Sequence, residues 1–97
     1  MNEEITKKIA IVLPSLNPDK KFAGVVGGLL DAGFKNIVIV DDGSDAGHKK
    51  PFEEAARYPE CRILVHEVNK GKGRALKDAF AYIARELPKV EGIITID

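Results

Sequence analysis

The chain has 97 residues, 44% of them apolar, with fifteen Lys and Arg against fifteen Asp and Glu and a formal net charge of zero. That length allows one domain at most, and the charge balance offers no general attraction for a phosphate backbone, so the composition argues against a nucleic-acid partner. No apolar run approaches the ~18–20 residues that span a bilayer and no signal peptide opens the chain, while the single Cys61 has neither a disulfide partner nor metal-ligand spacing around it, so a cytoplasmic setting is expected.

Met1 to Lys8 is polar and reads as a frayed lead-in, with residues 1–7 flexible. Ile9–Leu13 is the first strand, broken by Pro14-Ser15-Leu16-Asn17-Pro18. Asn17-Pro18-Asp19 reads as an N-cap, a proline at the first helical position and an acidic first turn. Phe22, Val25, Val26, Leu29 and Leu30 then recur as one face of an amphipathic helix, and Gly33 supplies the left-handed residue that ends it. Gly24, Gly27 and Gly28 each weaken that helix by ~1 kcal/mol relative to alanine. They are expected to be packing devices that let it approach the sheet closely.

Ile37–Val40 is a mostly β-branched run buried on both faces, and it delivers Asp41-Asp42-Gly43-Ser44-Asp45 to the sheet rim. Pro51 and Phe52 open a short helix with Ala55 and Ala56 on its inner side, stopped near Tyr58-Pro59. Arg62–Val65, reaching towards His66, is the third strand. After the turn Asn69-Lys70-Gly71-Lys72-Gly73, a longer helix carries Ala75, Leu76, Ala79, Phe80, Ile83 and Leu87 on one face and ends at Pro88. Ile93–Ile96 is the fourth strand and Asp97 follows it. The alternation of strand and helix predicts a three-layer α/β/α sandwich around a parallel four-stranded sheet with right-handed crossovers.

Open parallel sheets bind ligands at the carboxyl ends of their strands, where the polar groups of this chain collect. Asp41 and Asp42 are adjacent on extended backbone, so they point to opposite faces and cannot act as a pair on one atom. One can accept hydrogen bonds from a ligand, as a carboxylate does from a nucleobase edge or a ribose, while the other ties down the turn. Plain turn chemistry and capping explain the same residues equally well. Lys70, Lys72 and Arg74 among Gly71 and Gly73 suit phosphate oxygens, although a solvated basic loop is the commoner use of such a stretch. The spacing is neither that of a Walker loop nor that of a dinucleotide fingerprint. His48 and His66 lack a paired ligand at useful spacing.

Four segments in order resemble one family: Ile11-Val12-Leu13-Pro14-Ser15-Leu16-Asn17, Ile39-Val40-Asp41-Asp42-Gly43-Ser44-Asp45, Asn69-Lys70-Gly71-Lys72-Gly73-Arg74-Ala75-Leu76 and Ile94-Thr95-Ile96-Asp97. Residues 8–97 are similar to the amino-terminal half of family 2 glycosyltransferases with the GT-A fold, near the polyprenyl- and dolichyl-phosphate sugar transferases. The resemblance implies a truncated GT-A, Rossmann-like half with strand order 3-2-1-4 and an inverting, metal-dependent transfer of sugar from a UDP- or GDP-linked donor to an acceptor alcohol or phosphate. It implies nucleotide-sugar contacts from Pro14, Ser15, Leu16, Asp41, Asp42, Lys72 and Asp97. Asp97 would be the first acid of the family's Asp-x-Asp element, holding Mg²⁺ or Mn²⁺ in the intact enzyme. No catalytic residue is expected within the chain, the general base lying beyond Asp97, so this piece should be inactive and without bound metal. The intact protein would work in the cytoplasm or at the cytoplasmic membrane face. Self-association is expected through the fourth strand, which the chain leaves as an apolar edge. Two alternatives share parts of the layout: a receiver-type signalling module built on Asp41, Asp42 and Asp97, and a sugar-nucleotide nucleotidylyltransferase fragment.

Overall fold

The computed structural model describes residues 3–96. Four parallel strands, β1 (Ile9–Ser15), β2 (Asn36–Asp42), β3 (Cys61–His66) and β4 (Gly92–Thr95), form one sheet in the order β3-β2-β1-β4. This is the expected order. A receiver-type sheet, of order 2-1-3-4-5, would place the first strand between the second and third, whereas here β1 lies between β2 and β4.

Alternation along β1 and β2 divides the core into two layers. Ile11, Leu13, Ile37 and Ile39 face α2 (Lys21–Asp31) and α3 (Lys50–Ala55), packing with Phe22, Val26, Phe34, Phe52, Ala55 and Cys61. Phe22 and Phe52 meet edge to face at 5.4 Å, which ties the two helices together. Ala10, Val12, Val38 and Val40 face α4 (Lys72–Glu86) through Ala75, Ala79 and Ile83. Alanines on the inner stripe bring α4 close to the sheet, and its first turn therefore reaches the strand tips. Each Ile or Val sealed in these layers contributes roughly 1.5–3 kcal/mol. Cys61 is a buried packing residue, its thiol pushed above its ordinary pKa by burial.

Several local expectations are corrected. The polar lead-in carries a helix, α1 (Glu3–Lys8), in which buried Thr6 donates its hydroxyl proton to the Glu3 carbonyl. Helix α2 starts at Lys21 rather than at Pro18, because Asn17 is drawn aside with φ +46° and Asp19 accepts from the Lys21 N–H instead. A 3-10 turn over Ala46–His48, unseen in the sequence, precedes α3. Ala56 and Phe80 face solvent rather than the core, Phe80 at 41% exposure. Gly33 ends α2 as expected: its N–H donates to the Leu30 carbonyl and that of Phe34 to Leu29.

Close packing does not explain the three α2 glycines, since a Cβ at Gly24, Gly27 or Gly28 would meet nothing within 4 Å. Gly24→Ala and Gly28→Ala, both at exposed positions, should each therefore raise stability by ~0.5–1 kcal/mol, read as an increased urea midpoint with unchanged slope. At the sheet's edge, Ile93 and Ile94 of β4 are 41% and 45% exposed on its two faces. No helix among the described residues is long and apolar enough to cross a membrane.

Candidate functional site

The carboxyl ends of β1 and β2, the loop before α4 and the first turn of α4 border an open cavity of about 300 Å³. Its lining consists of Pro14, Ser15, Leu16, Asp42, Asn69, Gly71 and Lys72. Five of the seven residues singled out from the sequence thus meet in one place, namely Pro14, Ser15, Leu16, Asp42 and Lys72. Asp41 is not among the lining residues, and Asp97 lies outside the described residues. A second groove of about 380 Å³ shares Pro14, Ser15 and Leu16 and continues past Asn17, Asp19 and Val25 to Ile96.

The two adjacent carboxylates divide their work by face. In the strand register Asp41 lies beside Ser15 and Val65, and Asp42 beside His66. Asp41, 1% exposed, accepts from the Ser44 N–H at 2.9 Å and pairs with the Lys49 ammonium. Burial pushes its pKa up, but the Lys49 ammonium and the Ser44 N–H and hydroxyl outweigh that, and the carboxyl sits below its ordinary value. Asp41 thus closes the turn, and Ser44 carries the closure onward. Its Oγ accepts from the Asn17 N–H at 2.9 Å, while the Asn17 side chain accepts from the Asp45 N–H at 3.0 Å. The left-handed Asn17 backbone is what aligns these two bonds, and they clamp the end of β1 against the end of β2.

Asp42 faces α4. Its Oδ1 accepts from the Lys70 N–H at 2.9 Å and lies 2.8 Å from His66 Nδ1, and its Oδ2 accepts from the Gly71 N–H at 3.0 Å. Gly71, with φ +92°, caps α4, and the Asn69 side chain shares its N–H at 2.9 Å. The helix accordingly begins at Lys72 rather than beyond the glycine turn. Here too burial acts to raise the pKa, and His66 together with the Lys70 and Gly71 N–H groups overcomes it, holding Asp42 low. An ionised acceptor is thereby fixed in the cavity wall, beside Lys72 and the positive end of a fifteen-residue helix.

His66 is the residue that sequence reasoning missed. It is 7% exposed, and its Nε2 lies 2.8 Å from Asp78 Oδ2 on α4, which also receives Arg74 Nε. A signal existed: strands of matched length put an acid and a histidine at equivalent ends of neighbouring strands. His48, in contrast, pairs with Asp45 at the surface.

Among the described residues no three His, Cys, Asp or Glu side chains converge as a metal site. Asp42 already accepts from two backbone N–H groups that order the loop, and no second carboxylate joins it to supply the several oxygen ligands that a divalent cation takes. The donor set described does not by itself fit a divalent ion.

The chain is similar in sequence to known proteins. The model of the family described as glycosyl transferase family 2 matches residues 10–94. An uncharacterized protein of Methanocaldococcus jannaschii is 33% identical over the whole chain, which covers 37% of that protein. Glycosyltransferase AglJ of Haloferax volcanii is 30% identical over 73% of the chain and 22% of its own length. The UDP-N-acetylglucosamine–dolichyl-phosphate N-acetylglucosaminyltransferase of Methanococcus voltae is 30% identical over 71% of the chain and 33% of its own length. The chain therefore spans little more than a third, or less, of each of these relatives.

Proposed function

The chain belongs to glycosyl transferase family 2, and from that membership we propose that its 97 residues bind the nucleotide-sugar donor of a sugar transferase. The observation that carries this reading is the cavity at the strand tips that brings together Asp42, Leu16 and the Asn69–Lys72 turn. A nucleoside diphosphate suits each wall. Leu16, 47% exposed, offers apolar surface to a base, and Asp42 accepts from base or ribose donors. The α4 terminus, with Lys70, Lys72 and Arg74 nearby, favours the diphosphate.

In this reading the donor is UDP- or GDP-linked and the acceptor is a lipid-linked phosphate or an alcohol, reached at the cytoplasmic face of a membrane. The relative from Methanococcus voltae, named for a dolichyl-phosphate acceptor, supports that choice. The sugar leaves its diphosphate with inversion, and none of the 97 residues is assigned as the base that takes the acceptor's proton.

Thermal unfolding with UDP- and GDP-sugars tests the proposal. A hundredfold excess over Kd should add about 2.7 kcal/mol of stability, visible as a rise of several degrees in Tm. Parallel runs with Mg²⁺, Mn²⁺ or EDTA test the metal dependence that the family resemblance implies. No shift with any nucleotide sugar at millimolar concentration overturns the reading.

A further inference from the structure

Resting on that donor-site reading, we infer that His66 is a positioning residue that couples the acceptor carboxylate of the cavity to the first turns of α4. The geometry is a continuous chain through three elements. Asp42 at the tip of β2 meets His66 Nδ1 at 2.8 Å, and His66 Nε2 meets Asp78 at 2.8 Å in the second turn of α4. Arg74, one turn earlier, closes the chain onto Asp78 at 3.1 Å. Asp42 also holds the two N–H groups, Lys70 and Gly71, that lead into the same helix. The loop carrying Asn69 and Lys72 is therefore fixed at both ends, directly by Asp42 and through His66 by way of Asp78.

Both ring nitrogens face carboxylate oxygens, so the one buried ring ties the tip of β2 to the second turn of α4. The charged groups set about His66 are Asp42 from β2, Asp78 from α4 and, behind Asp78, Arg74. No donor contact is assigned to His66 itself. It acts by holding Asp42 in rotamer and the α4 terminus in place, so that the cavity is already shaped when the nucleotide arrives.

Nitrogen-15 NMR of the intact protein and donor calorimetry test this together. Addition of the UDP- or GDP-sugar should move the His66 signals while those of His48 stay put. His66→Ala and the milder His66→Gln should weaken donor binding about tenfold or more, a change that calorimetry resolves. Removing the opposing charge in His66→Ala/Asp78→Ala should restore thermal stability but not affinity. Two results overturn the inference and leave the donor site standing: unmoved His66 signals on donor binding, or wild-type affinity in either folded variant. If the unaltered protein binds no nucleotide sugar, the donor site falls and the inference falls with it.

Discussion

Gly43→Ala should be the most damaging glycine-to-alanine change among the described residues, costing about 2–5 kcal/mol. Two independent penalties add. Gly43 has φ +81°, a conformation that costs an L-residue roughly 1–2 kcal/mol. Its Cβ would also be driven into the backbone of Val68 and Asn69, which no side-chain rotation can relieve. Overpacking of that kind typically costs ~1–3 kcal/mol. Gly33→Ala is the control: its φ is +92°, but the added methyl would meet only Thr6 Oγ1 at 3.8 Å, an ordinary contact. That variant should therefore lose the conformational part alone, about 1–2 kcal/mol. Urea titration of the two variants separates the penalties. Equal losses would mean that the 68–69 backbone does not lie against the Gly43 turn. Because Asn69 lines the cavity, the Gly43 variant should also bind donor more weakly than its residual stability predicts.

The close approach at Gly43 shows where sequence reasoning stops. Strand cores, sheet order and the alternation of layers follow from apolar runs and from the resemblance, because a one-residue slip would turn Ile37 and Ile39 onto the wrong face. Element ends do not follow. Asn17-Pro18-Asp19 has good capping chemistry, yet α2 begins at Lys21, because the Asn17 backbone and side chain are taken by Ser44 and Asp45 some thirty residues away. In the same way α4 begins at Lys72 because Asp42 gathers the N–H groups of Lys70 and Gly71. In both cases a long-range hydrogen bond overrides a local preference. The cavity is legible as a set of residues chiefly through the family resemblance, which marks Pro14, Asp42 and Lys72 together. Asp41 was marked equally, but β alternation sends it to the opposite face, where Lys49 takes it up.

Both acids in the Asp41-Asp42 pair are buried and both are satisfied, and no buried polar side-chain atom among the described residues lacks a partner. The rim is thus held rigid by charge-assisted bonds rather than by packing, which suits a site that must present polar groups in fixed positions. Rigidity obtained in this way depends on the carboxylates staying ionised.

Asp42→Ala should accordingly lower stability by about 3–5 kcal/mol, the range for breaking one side of a buried charge pair. The loss has two sources. The Lys70 N–H loses its acceptor, the Gly71 N–H keeps only the Asn69 side chain, and His66 keeps only Asp78. Asp42→Asn, with one acceptor oxygen kept and the charge removed, should fall between. Acid should produce a graded version of the same loss. Asp41 and Asp42 are both held below the ordinary carboxylate value in the folded state, so the unfolded chain binds protons more readily than the native one. Their contribution is complete above the unfolded pKa of about 4 and disappears as pH falls through the lower folded values. Urea midpoints should therefore stay level from neutrality to about pH 5 and decline below pH 4, and the decline should be shallower in Asp42→Ala. An identical acid limb in variant and wild type would mean that Asp42 is not the ionised anchor of the α4 terminus. Donor affinity measured at pH 7 completes the comparison. Asp42→Ala should abolish binding, whereas Asp41→Asn, altered on the far face, should lose stability while keeping most of its affinity.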